Sequence, residues 1–204
     1  MFRRLIHKFN NYKFEKRMAK QRYKRGFSDN DCWSMEYWLT STFPDMIINL
    51  RDMKHGAPDL PFEEFNTFPE EWKDIELQKY KYITEKAGYE YEPHSIFTKW
   101  YIVLTRIAFC LREASSDKEM YNPYEEEYNK AIWGDDFYEE KSFTDFWNKH
   151  CEKVEGGYII KNNEPPEDLK KKYFDTEEKN MKYKENMKDE ALDLIKKYFY
   201  NLWD

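Results

Sequence analysis

The sequence predicts an all-α fold, an irregular helical bundle with a basic helix at its N-terminus and a long helix at its C-terminus. Three observations predict it. Apolar residues recur at three- and four-residue spacing in the segments 2–24, 97–111 and 181–202, which is the period of a helix face. Turn chemistry built from Gly, Pro, Asn and Asp separates these segments. The run 97–111 is apolar almost all round, as a helix buried on every side must be.

Phe2, Leu5, Ile6, Phe9 and Tyr12 give residues 2–24 the pattern of a basic amphipathic helix, which Gly26 ends. The Ser28 hydroxyl is placed to cap the next helix, with Asp31 at its third position and Asp29 also favoured at its positive end. Trp33, Tyr37 and Trp38 follow on adjoining faces, and Pro44 marks a boundary or kink before a segment running through Met53. His55 to Pro61 is loop chemistry, and Pro69-Glu70-Glu71-Trp72 reads as the first turn of a helix over 70–86.

Phe97, Trp100, Tyr101, Leu104, Ile107, Ala108 and Leu111 make the wide apolar face of the expected central helix. Asn122-Pro123 opens an acidic, aromatic segment through Glu140. Phe143, Phe146 and Trp147 suggest a short helix ending before Gly156-Gly157, and Tyr158-Ile159-Ile160 one short strand or extended segment. Pro165-Pro166 with the lysines at 170–172 reads as a hinge, after which Asp175 or Thr176 starts the last helix. The expected organisation is a basic helix at 1–25 and a single aromatic-rich helical domain at 26–204.

Composition bounds the function. Leu, Ile, Val and Phe together make just under a fifth of the chain, but 17 Tyr and 7 Trp add large side chains that bury a ring while a polar tip finds water. A folded, aromatic core under a charged surface is therefore expected. Cys32, Cys110 and Cys151 are odd in number and widely spaced, which fits a reducing compartment. No apolar run reaches the length of a signal peptide or a membrane span, so neither export by that route nor membrane insertion is expected. Residues 1–25 carry ten Lys or Arg against Glu15 alone, and the remainder of the chain sums to −15. The same molecule thus supplies the countercharge, and pairing of the helix with its own acidic body is preferred to nucleic-acid binding.

Three segments resemble an uncharacterised family of proteins encoded by tailed bacteriophages and related mobile elements. The first is Arg25-Gly26-Phe27-Ser28-Asp29-Asn30-Asp31-Cys32-Trp33-Ser34 followed by His55-Gly56-Ala57-Pro58. The second, Trp100 to Leu111, looks like the family's W-x-x-x-L-x-x-I-A helix. The third is Ala191-Leu192 through Leu202-Trp203-Asp204. The resemblance implies a phage accessory protein acting in the bacterial host cytoplasm, with a role in countering host defence.

Candidate ligand-binding residues are Arg25, Ser28, Trp33, Tyr37, Arg51, His55 and Arg106. A helix N-terminus offers free N–H groups to an anion, Arg a bidentate fork for phosphate, and Trp33 or Tyr37 a stacking surface for a base. Asp29 and Asp31 oppose this, since they already occupy the positive end, and a capped helix with its aromatics in the core is the simpler reading. Arg106 stands alone in the most apolar helix. Its seven-residue recurrence with Thr98, Lys99, Thr105, Arg112 and Glu113 favours a polar stripe over a buried anchor.

Metal and catalytic signals are sparse. The four His lack metal-ligand spacing. Glu152 with Glu155, and Glu190 with Asp193, match the paired carboxylates of all-α nucleotide pyrophosphohydrolases, where i and i+3 share a helix face and bridge magnesium. Here 34 residues and a Pro-Pro separate the pairs. Nucleophile elbows, phosphate-binding loops and dinucleotide fingerprints are absent. The expectation is a non-enzymatic phage accessory protein without a cofactor, neutralising a nucleotide signal or a defence protein, with homo-oligomerisation left open. A magnesium-dependent pyrophosphohydrolase-like enzyme and a structural or assembly protein are the alternatives.

Overall fold

The computed structural model describes residues 2–33, 35–53, 56–58, 67–135, 137–139 and 143–202. The chain divides into two compact units, Met1–Lys118 with Glu185–Asp204, and Glu119–Lys184. Among the described residues, apart from one small hairpin in the second unit, the regular structure is helical, as the apolar spacing predicts.

In the first unit α1 (Phe2–Arg25) ends at Gly26, and α2 (Asp29–Trp33) follows directly. A short α3 (Met35–Tyr37) runs into a π-helical turn, Trp38–Thr42, and then α4 (Phe43–Met53). Pro44 explains the turn. It has no N–H to give the Thr40 carbonyl and its ring crowds that carbonyl, so the ladder widens and Phe43 N–H bonds the Trp38 carbonyl instead. The kink expected at Pro44 is thus accommodated just before it.

Helix α5 (Glu70–Lys86) closes in a Schellman motif. Gly88 N–H bonds the Glu85 carbonyl and Tyr89 N–H the Thr84 carbonyl, with Gly88 at φ 81°, a value an L side chain rarely adopts. Helix α6 (Ile96–Glu113) is capped by Ser95, whose hydroxyl accepts from Thr98 N–H. As its all-round apolar sequence requires, α6 is the central element, buried at almost every position from Thr98 to Leu111. Ile47 of α4 and Phe68 join this core, and Trp72 of α5 tilts against Phe109 at 5.7 Å. The last helix, α9 (Glu167–Lys197), contributes Ala191 and Ile195, and Tyr198 just beyond it meets Trp100 edge-on at 5.4 Å.

The second unit contains α7 (Glu125–Trp133), α8 (Phe143–His150), the antiparallel strands β1 (Cys151–Val154) and β2 (Gly157–Ile160), and the first turns of α9. Aromatic ring contacts recur here: Trp133 meets Phe146 at 5.1 Å and His150 at 5.3 Å, and Tyr128 stacks on Tyr173 at 4.0 Å.

Two expectations are corrected here. The strand anticipated at Tyr158-Ile159-Ile160 has a partner in 151–154, because Glu155-Gly156 forms a two-residue turn with Gly156 at φ 92°. The lysines at 170–172 are no hinge. Helix α9 starts at Glu167, immediately after Pro166, with Glu167 and Asp168 at its positive end. Lys170 reaches back to Glu167 at 3.5 Å and Lys172 to Asp168 at 3.7 Å, so the charge run lies within the first turns of the helix and pairs with its own acids.

Candidate functional site

The Arg25–Trp38 cluster assembles into a helix cap. Ser28 is fully buried, its hydroxyl accepts from Asp31 N–H at 3.3 Å, and its own N–H donates to the Asp31 carboxylate at 2.7 Å. Arg22 clamps the same carboxylate with bonds of 3.0 and 2.5 Å, and Arg25 pairs with Asp29 while lying 4.8 Å over the Phe27 ring. The Arg22 guanidinium first, and then the Ser28 N–H, hold the Asp31 carboxyl far below its ordinary range. Each group proposed for a phosphate thus has an intramolecular partner, and the α2 N-terminus is closed by its own acids. Tyr37 departs from the expected core packing: it is 52% exposed. Trp38 stacks on Phe43 at 5.7 Å. Trp33 lies in α2, and its side chain and all of His55 fall outside the described residues.

These contacts refine the expected pairing of α1 with an acidic body. Among the described ion pairs of α1, those with the rest of the chain come from Arg22 and Arg25 of its last turn, through Asp31 and Asp29.

Arg106 is not on a solvated stripe. It is 3% exposed, like the buried Thr98, Lys99 and Thr105 around it, because α6 is covered on all sides. Its Nε and Nη2 make a two-pronged bond to Glu190 of α9 at 2.6 and 2.7 Å, and its guanidinium lies 5.0 Å from the Trp72 ring and 5.3 Å from Phe109. The residue read as one of the magnesium carboxylates is therefore the counter-ion of the arginine read as a ligand anchor. Cys110, one turn on, sits in the same interior, where burial pushes its thiol up to about 12.

Arg51 is the proposed residue that reaches a cavity. It lies near the end of α4, largely buried, with Nε on Asp52 at 2.8 Å, Nη1 on the Thr105 hydroxyl at 3.1 Å, and the guanidinium 4.4 Å over the Tyr101 ring. Tyr101 also stacks on Tyr80 at 4.2 Å. Arg51 and Tyr101 line two adjoining cavities of about 520 and 860 Å³. The smaller adds the rings of Trp72 and Tyr82, the cations Lys79 and Arg112, and the acids Glu76 and Glu113. Lys79 is held by Glu76 and Arg112 by Asp45, both at 2.6 Å.

Sequence reasoning found Arg51 but missed Tyr101, Trp72, Lys79 and Arg112 as its neighbours. They lie on α5 and α6 while Arg51 lies on α4, and no spacing within one segment links them; the abundance of aromatic residues is the sole signal in the sequence.

Of the two carboxylate pairs, Glu190 and Asp193 share α9 as expected, while the other loses its expected geometry. Glu152 stands on β1, bonded to Lys161 at 2.6 Å, and Glu155 in the hairpin turn, so the shared helix face expected of them does not exist. Among the described residues no three His, Cys, Asp or Glu side chains group to hold a metal ion. Among the same residues no helix is long and apolar enough to cross a membrane. Comparison with protein-family models, curated proteins and solved structures finds no match.

Proposed function

We propose that the chain is a non-enzymatic accessory protein that sequesters a small anionic ligand bearing an aromatic ring, of the nucleotide class, in the groove between α4, α5 and α6. The observation that carries this reading is Arg51 held with its guanidinium carbon 4.4 Å over the Tyr101 ring, both residues lining the two cavities. Nε and Nη1 hold the guanidinium in place, and among the described residues its Nη2 has no acceptor. A planar donor fixed beside rings suits a phosphate next to a base. The smaller volume, about 520 Å³, falls within the range of small-molecule sites.

Of the acids beside the cations, Glu76 and Glu113 line the smaller cavity, mostly buried and paired with Lys79 and Lys118, and oppose an anion on their side of it. Asp52 and Asp45 are mostly exposed, and exposed ion pairs contribute about 0–1 kcal/mol, so exchange for a ligand phosphate costs little. Glu190 supports a binding role over the magnesium-dependent one, since its carboxylate is committed to Arg106. In the setting implied by the phage resemblance, the ligand is a nucleotide signal of the infected cell, and its removal is the counter-defence act.

Calorimetric titration with mono-, di- and cyclic nucleotides tests the reading. Binding at one site is expected, weakened at least about tenfold by Arg51→Ala, which removes a charge-assisted donor, and unchanged by Arg25→Ala. Native mass spectrometry of protein taken from infected cells supplies the second arm. A retained nucleotide-sized mass supports sequestration, whereas a retained host protein with no nucleotide binding replaces it with direct inhibition of that protein.

A further inference from the structure

We infer that β2 is the seat of a two-fold interface between two copies of this chain, formed by antiparallel pairing of the Gly157–Ile160 edge with itself. The hairpin register pairs Cys151 with Ile160, Glu152 with Ile159 and Lys153 with Tyr158, and Lys161 N–H donates to the His150 carbonyl at 2.6 Å. In an antiparallel ladder directly opposed residues alternate between hydrogen-bonded and non-bonded pairs. Since 150 and 161 are bonded, 152 and 159 are bonded too. Tyr158 and Ile160 are then the non-bonded positions, and their N–H and C=O groups point out of the hairpin along its outer edge. Among the described residues no backbone group meets them.

Edges of this kind are usually protected by a charge, a proline or a bulge. Strand β2 has none of these: its side chains are Tyr158, Ile159 and Ile160, each just over half exposed. Strand β1, by contrast, carries Glu152 and Lys153.

The occupant follows from the strand's complementarity to itself. When two copies of β2 run antiparallel about an axis at Ile159, Tyr158 of one falls opposite Ile160 of the other. Both are outward positions, so they form bonded pairs. Ile159 faces its own copy in a non-bonded pair, where side chains approach most closely. No apolar residue meets a polar one. Lys161 falls opposite Gly157 and not opposite a second lysine, and Glu152 already holds its ammonium at 2.6 Å. Shifting the axis to Ile160 would set Tyr158 against Asn162 and lose this match. The contact is isologous and closes at two copies. A four-residue edge falls well below the roughly 1,200 Å² of a standard interface, so the association is reversible and concentration-dependent.

Analytical ultracentrifugation of the full chain from micromolar to near-millimolar concentration tests this. The expected result is a reversible rise from the 25.3 kDa monomer toward twice that mass. Ile159→Lys and Ile159→Glu, each placing like charges against each other across the axis, are each expected to abolish the rise, and an equimolar mixture of the two to restore it. Recovery on mixing also excludes misfolding as the cause of the loss. A monomer at every concentration, a dimer unaffected by both substitutions, or failure of the mixture to recover overturns the proposal.

Discussion

Removal of the Glu190 side chain is the sharpest perturbation of the core. Arg106 is 3% exposed and Glu190 30% exposed, so the cation is the partner that cannot rehydrate when the pair is broken. Breaking a fully buried pair costs about 3–5 kcal/mol, mainly as an uncompensated charge. Some water can enter from the Glu190 side, which sets the expectation for Glu190→Ala at about 2–3 kcal/mol. Arg106→Met leaves instead a carboxylate that can find water, and the methionine fills part of the space between Trp72 and Phe109; about 1–2 kcal/mol is expected. The double variant exposes no orphan charge and should be less destabilised than the two single effects added together, by about 1–2 kcal/mol. Urea unfolding followed by tryptophan fluorescence, with Trp72 beside the pair as a reporter, measures all three. A Glu190→Ala cost below about 1 kcal/mol with no coupling would refute the assignment of this pair as a buried, mutually dependent one.

Four further outcomes follow from named contacts. Ser28→Ala removes one half of a reciprocal cap and should destabilise the first unit by about 1 kcal/mol in the same unfolding assay. Asp31 has a folded pKa below its ordinary 3.8, so its contribution to stability is complete above that value and is lost as pH falls through the folded pKa. A carboxyl NMR titration should find Asp31 ionised below pH 3.8, and Arg22→Ala should move its midpoint upward toward that value. Gly156→Ala places a Cβ in open space but at φ 92°, so its expected cost of about 1–2 kcal/mol is purely a backbone one, read as loss of protection at the Lys161 amide in hydrogen exchange. Iodoacetamide at neutral pH should modify the exposed Cys32 and leave Cys110 untouched until the chain unfolds, because the buried Cys110 stays a neutral thiol up to about pH 12.

The local parts of this protein were legible in the sequence because their causes are local. Ser28 and Asp31 are three residues apart, and a capping box is a relation between neighbours in one turn. The burial of α6 was legible as well, since a helix apolar on every face has no stable surface to show to water. Where the reading failed, two local signals competed. Pro165-Pro166 argued for a break and the lysines at 170–172 for a hinge, but prolines just ahead of acids at 167 and 168 also make a sound helix start. At 151–154, alternation was too short and too charged to announce a strand without its hairpin partner.

By itself, then, the sequence determined the helical class, the central helix, the cap at Ser28 and the aromatic character of the core, each set by spacing within one segment. Tertiary structure decided the partners. Arg106 found Glu190 across 84 positions of sequence, and Arg51 found Thr105 across 54. A guanidinium reads the same in sequence whether it faces water, a carboxylate or a ligand. Which of these it meets depends on how helices far apart in the chain pack, and no periodicity within one helix carries that information.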